Sequence, residues 1–96
     1  MIHTLTAFPS DYRELSQPGE HRVFGYFLSR AEAVDAVSRN EGSMGECYYT
    51  HLVIEAIRPG INSIAGDEAW FYYDQGAWHP CDQPEWARQV CNHAMG

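Results

Sequence analysis

Ninety-six residues, 45% of them apolar, suffice for one domain with its own core and leave no room for a second. Six arginines, no lysine and thirteen acidic residues give a formal charge of −7. That balance excludes the basic stripe on which DNA or RNA binding depends. No apolar run approaches the roughly 18 residues of a membrane span.

In chain order, residues 1–20 read as an adaptable lead-in and residues 21–96 as an α+β core. Ile2, Leu5 and Phe8 could form a short edge strand, Ser10 to Leu15 a helical turn, and Ser16-Gln-Pro-Gly19 a closing turn. His21 to Leu28 predicts a strand with Phe24, Tyr26 and Leu28 on one face and Val23, Gly25 and Phe27 on the other. Gly25 permits close approach to the backbone, or marks a bulge.

Ser29-Arg-Ala-Glu32 has the form of a capping box, with Leu28 and Ala33 as its hydrophobic staple. Ala33, Val34, Ala36 and Val37 then make one apolar stripe, with Arg30, Asp35, Ser38 and Arg39 outside. Asn40 and Gly42 offer left-handed stops, so the helix should end near Arg39 or Asn40.

Cys47 to Gly60 predicts one long strand in the middle of the sheet, with Tyr48, Thr50, Leu52, Ile54 and Ala56 toward the core. Its most apolar stretch contains Glu55. A buried carboxylate without a partner costs several kcal/mol, and Arg22 on the neighbouring strand is the expected ion-pair partner. Asn62 to Glu68 reads as a loop. Ala69 to Tyr73 and Ala77 to His79 form a hairpin around Asp74-Gln-Gly76, with glycine at the left-handed position. Asp82-Gln-Pro-Glu85 starts a second helix, with Trp86, Ala87, Val90, Cys91 and Ala94 on its apolar face. The order is β-α-β-β-β-α: a small, mostly antiparallel sheet of about four strands with helices packed on it.

Candidate chemistry is sparse. Three cysteines leave at least one unpaired, as in a reducing cytosol. Cys47 with His51, His79 with Cys81, and Cys91 with His93 are the closest approach to a metal framework, but none has zinc spacing. No metal or other cofactor is expected. His51 and Glu55 share a strand face about 13 Å apart, too far for a direct dyad. The start of the chain lacks the features of a secretory signal, so a cytoplasmic protein is expected.

Thirteen aromatics, six of them tyrosines, cluster at residues 24–27, 48–49 and 70–78. Tyrosine and tryptophan dominate binding hot spots as well as cores. Trp70, Tyr72, Asp74 and Trp78, with Tyr49, Asp67 and Glu68, are therefore candidate binding residues. Acidity favours a basic protein surface as partner, because complementary potentials speed encounter.

Gly25-Tyr-Phe, Ala33-Val34 with Ala36-Val37, Glu46-Cys-Tyr-Tyr, Val53-Ile-Glu55, Pro59-Gly-Ile61, Trp70-Phe-Tyr and Pro84-Glu-Trp86 together resemble a group of small uncharacterised proteins of phages and mobile elements. The resemblance spans about residues 21–95. It carries no established activity and transfers no functional residue. What it implies, with size and charge, is a phage-encoded inhibitor of a host defence complex in the host cytoplasm, anti-CRISPR-like by analogy. The expected function is thus a non-enzymatic protein-binding module whose partner is a basic, nucleic-acid-binding complex. The alternative is a small hydrolase or ligand-binding protein with a pocket around Glu55, His51 and His79. A homodimer joining exposed strand edges is compatible with either.

Overall fold

The computed structural model describes residues 1–9, 22–40, 49–59 and 68–84. They form strands β1 (Ile2–Pro9) and β2 (Arg22–Phe27), helix α1 (Arg30–Ser38), and strands β3 (Tyr49–Ile57), β4 (Glu68–Asp74) and β5 (Ala77–Cys81). The strands make one antiparallel sheet in the order β2-β1-β3-β4-β5. The class is α+β as expected, but the described order is β-β-α-β-β-β, with five strands and one helix. Of the second helix expected to start at Asp82, residues 82–84 are not helical, and the remainder, from residue 85 onward, lies outside the described residues.

The additional strand is the supposed lead-in. β1 is no edge strand: it pairs with β2 on one side and β3 on the other, and Leu5, Ala7 and Phe8 are buried. Residues 2–9 therefore belong to the core. Spacing by three (Ile2, Leu5, Phe8) was the wrong period, because the working alternation is His3-Leu5-Ala7 against Ile2-Thr4-Thr6-Phe8. Thr4 and Thr6 are buried, where β-branched threonine suits the pleat.

β3 does occupy the centre. Since β2 and β3 both run antiparallel to β1, they are parallel to each other with β1 inserted between them. Helix α1 connects them and packs against β1, β2, β3 and β5. Its Ala33 and Val37 meet Leu5, Ala7, Leu52, Ile54, Phe71 and Trp78, which makes the larger core. On the opposite face Phe8, Val53 and Trp70 form a second cluster with Cys81. Phe8 and Trp70 stack there, 5.5 Å between centroids and 24° between planes.

The helix ends follow the sequence closely. Ser29 is the N-cap: its Oγ accepts from the Glu32 amide at 3.2 Å. The serine hydroxyl also donates to the Glu32 carboxylate, so the second bond of the box runs side chain to side chain. Leu28 is exposed and forms no staple. Asn40 takes φ +47° one residue past the C-cap, and its amide donates to the Val37 carbonyl. Its side-chain oxygen accepts from the Trp78 indole N–H at 3.0 Å, tying the end of α1 to β5. Val34 stands outside the stripe, exposed.

Two bulges redirect side chains that strict alternation misplaces. On β3 the pairing passes from Phe8–His51 to Pro9–Tyr49, leaving Thr50 extra and turning Tyr49 to the helix side. On β2 it passes from Leu5–Gly25 to Thr6–Val23, so Phe24 is extra. Phe24 then lies with Phe27 against the helix-side core, while Val23 and Tyr26 point outward on the other face. Nothing lies within 4 Å of where a Gly25 side chain would begin, so the residue marks the bulge and not a close approach. The hairpin is also tighter than expected. Asp74 pairs with Ala77, and Gln75 (φ +52°) and Gly76 (φ +81°) form a two-residue turn of the I′ kind.

Candidate functional site

On the face away from α1, side chains line up in rows across the strands. One row is Thr4, Glu55 and Glu68; the next is Thr6, Val53, Trp70 and Cys81; the third is Phe8, His51, Tyr72 and His79. The expected partnership of Glu55 with Arg22 does not form. β1 separates their strands, Arg22 lies opposite Ala7, and its side chain sits on the helix-side face. The Arg22 guanidinium instead covers the Phe24 ring, 4.9 Å from its centroid. Glu55 is fully buried, and Thr4 Oγ1 donates to its backbone carbonyl at 3.4 Å.

Directly opposite Glu55 stands Glu68, the first residue of β4 and not the end of a loop. Burial raises the Glu68 carboxyl above its ordinary range, offset in part by the Trp70 side chain. Local sequence around Glu68 reads as a loop, and only strand register reveals that the two glutamates face each other. Glu55 has no surface toward solvent. His51 lies a full row beyond Trp70, about 13 Å along the strand from Glu55, as its spacing implied.

Nor do His51 and His79 converge, since Tyr72 stands between them in the row. His79 contacts the Tyr72 ring (5.3 Å between centroids), and its Nε2 is 3.1 Å from the Asp74 carbonyl. His51 Nδ1 is 3.1 Å from Thr50 Oγ1, and burial lowers its pKa from the ordinary 6.5. Cys81 is half-buried; burial and then the neighbouring Asp82 carboxylate raise its thiol, which disfavours the nucleophilic thiolate. Glu55, His51 and His79 therefore do not assemble the pocket of the alternative reading. Cys47, Cys91 and His93 lie outside the described residues. Among the described residues no three His, Cys, Asp or Glu side chains gather as a metal site would require.

The His51 shift has a measurable consequence. Above pH 6.5 the ring is neutral in both folded and unfolded chains and contributes nothing. Below it the unfolded chain binds the proton more readily, so stability falls as pH drops from 6.5 toward the lower folded value. Urea midpoints between about pH 7.5 and 5.5 should fall more for the native chain than for His51→Gln. Equal falls would contradict the assignment.

The binding candidates sort by burial. Trp70 and Trp78 are core residues: one stacks on Phe8, the other packs beneath α1. Tyr49 is half-buried, packed edge-on against Phe24 at 5.3 Å. None of these three offers an exposed anchor, and the expectation of an aromatic surface is corrected to that extent. Alternation explains it, because both faces of the sheet hold clusters of buried apolar residues. Tyr72 remains outward at 38% exposure, and Asp74 is exposed at the turn. Glu68 is half-buried, and Asp67 lies outside the described residues.

What survives is an acidic edge. β4 and β5 and the residues just after them expose Asp74 and Asp82 and half-expose Glu68, with Tyr72 outward among them. The whole segment 59–87 contains five acidic residues and no lysine or arginine. Near its base an open pocket of about 700 Å³ is lined by Glu68, Trp70, Cys81 and Asp82 and by Arg30 of α1. Opposite charges on its walls select no single ligand charge.

Compared with protein-family models, curated proteins and solved structures, the chain matches none. The described residues include no helix long and apolar enough to cross a membrane. Function therefore rests on the residues themselves.

Proposed function

We propose that the protein is a non-enzymatic binding module that docks the acidic edge of its β4–β5 hairpin on a basic protein surface. The observation that carries this reading is the absence of any lysine or arginine from residues 59–87, around an outward Tyr72 and exposed Asp74 and Asp82. A segment whose own charges are all acidic steers a partner of opposite charge, and tyrosine supplies contact area at low entropic cost. The turn is a firm platform for it: a two-residue hairpin closed against a core that holds Trp70 and Trp78. The resemblance to phage and mobile-element proteins narrows the partner to a basic, nucleic-acid-binding host complex, of the type used in CRISPR-type defence.

Asp74→Lys with Asp82→Lys tests the reading. Both positions are exposed, so stability should change by no more than about 0.5 kcal/mol each. Affinity capture from host cytoplasm should recover a basic protein with the native chain, releasable by salt, and lose it with the double variant. An unchanged captured set would sink the proposal.

A further inference from the structure

The two edges of the sheet are built differently. β5 is five residues long, contains Pro80, which has no N–H to offer a new strand, and is flanked by Asp74 and Asp82. Proline, shortness and charge are devices that block edge-to-edge pairing. β2 is the opposite case. Arg22–Phe27 has no proline and no acidic residue, and no described strand pairs its outer side. Along it stand exposed apolar side chains: Val23 at 41% and Tyr26 at 64%, with Leu28 at 74% just beyond its end.

The bulge at Phe24 gives this edge a further property. Residues three apart on a regular strand point to opposite faces. Because Phe24 is extra, Val23 (opposite Thr6) and Tyr26 (opposite Thr4) share a face. By the same shift Arg22 and Phe27 share the other face, opposite Ala7 and His3. The strand is therefore symmetric in facing about the point between Phe24 and Gly25.

We propose that β2 pairs antiparallel with β2 of a second copy, about a two-fold axis passing between Phe24 and Gly25. In that register Val23 lies against the partner's Tyr26 on one face, and Arg22 against the partner's Phe27 on the other. Every directly opposed pair then has its two side chains on one face, as an antiparallel ladder requires. Shifting the register by one residue opposes Val23 to Gly25 and sets facing side chains on opposite faces, so the bulge selects the alignment. A single symmetry operation makes each of these contacts twice, and a cation meets an aromatic ring.

Charge favours a second copy at this edge. At −7 the chains repel one another overall, but from Arg22 to Ala31 there is no aspartate or glutamate. The copies thus meet at an acid-free stretch. Assembly also closes at two: among the described residues the joined sheet has ten strands, and both of its outer edges are the blocked β5. The acidic hairpins then lie at opposite ends, giving a bivalent molecule. Pairing through six residues a side is smaller than a standard interface of roughly 1,600 Å², so a dissociation constant near about 1–100 µM is expected.

Sedimentation of the full chain from about 1 to about 500 µM spans that range. The native chain should pass from monomer to dimer, with no higher species. Tyr26→Lys, at an exposed position, should keep its circular dichroism and remain monomeric throughout. Register is read separately by mild oxidation of a Val23→Cys, Tyr26→Cys double variant. Peptide mapping should find a bridge from position 23 to position 26 of the other copy. The single Val23→Cys variant should give no 23-to-23 bridge, because the bulge sets those positions about 7 Å apart along the strands and about 5 Å across, roughly 8–9 Å in all and beyond disulfide reach. A chain monomeric at every concentration, a dimer indifferent to Tyr26→Lys, or a bridge in another register would overturn the proposal. None of these outcomes depends on the partner of the hairpin.

Discussion

Phe8→Ala is expected to lower the unfolding free energy by about 3–5 kcal/mol, and deletion of residues 1–9 to abolish cooperative folding. Phe8 is fully buried, stacks on Trp70 and packs with Val53. Truncating the ring removes its transfer free energy and leaves a cavity beside Val53 and the Trp70 ring. A domain of this size has a total stability of roughly 5–14 kcal/mol, so the single substitution consumes much of it. Deletion is harsher, because it removes the strand between β2 and β3 and strips one edge of the central strand of its hydrogen bonds. A dispensable lead-in would show neither effect. Denaturant unfolding of both variants decides the matter: a midpoint within error of the native chain would contradict the assignment of β1 to the core.

Trp78→Ala should be equally severe, about 3–5 kcal/mol, whereas Tyr72→Ala should change stability by about 1 kcal/mol or less. Both residues lie on the same hairpin, and both were binding candidates by composition. Burial separates them. Trp78 fills the space under Ala33 and Val37 and donates its indole N–H to Asn40. Trp78→Phe keeps most of the ring but removes that donor, so an intermediate loss of about 1–3 kcal/mol is expected. Tyr72 reaches solvent on the other face. Its loss should weaken binding and leave the fold, while the tryptophan variants lose the fold and binding together. Thermal unfolding run beside a binding assay separates the two outcomes, and a Trp78→Ala chain of native stability would contradict the core assignment.

Local signals in the sequence carried much of the fold. Ser29 and Glu32 cap α1, and Asn40 stops it in the left-handed region, because these effects act within one turn and need no distant partner. The long apolar run around Leu52 to Ile57 does lie at the sheet centre. Non-local pairing was not legible. β1 alternates threonines with apolar residues, and no local feature says that two strands will flank it and bury Thr4 and Thr6. The bulges at Phe24 and Thr50 each invert facing for part of a strand, and neither has a sequence signature beyond Gly25 beside the first.

The same limit governed the site. Glu55 was singled out because an acid in an apolar strand is locally anomalous. Its opposite number, Glu68, became visible only through the β3–β4 register. Pairing Glu55 with Arg22 assumed that β2 adjoined β3, and the insertion of β1 voids that assumption. Acidity of the hairpin, by contrast, is a property of composition; Asp74 and Asp82 are exposed, Glu68 is half-buried, and Asp67 lies outside the described residues.

Docking depends on the charge of that hairpin. Affinity for the captured partner should therefore be measured across about 50 to 300 mM salt, where the screening length falls from about 14 to about 6 Å. The native chain should bind progressively more weakly as salt rises, and the Asp74→Lys, Asp82→Lys variant should bind at least tenfold more weakly at the low-salt end, a loss of about 1.4 kcal/mol. Equal affinity of the two chains, with no dependence on salt, would contradict docking through an acidic edge.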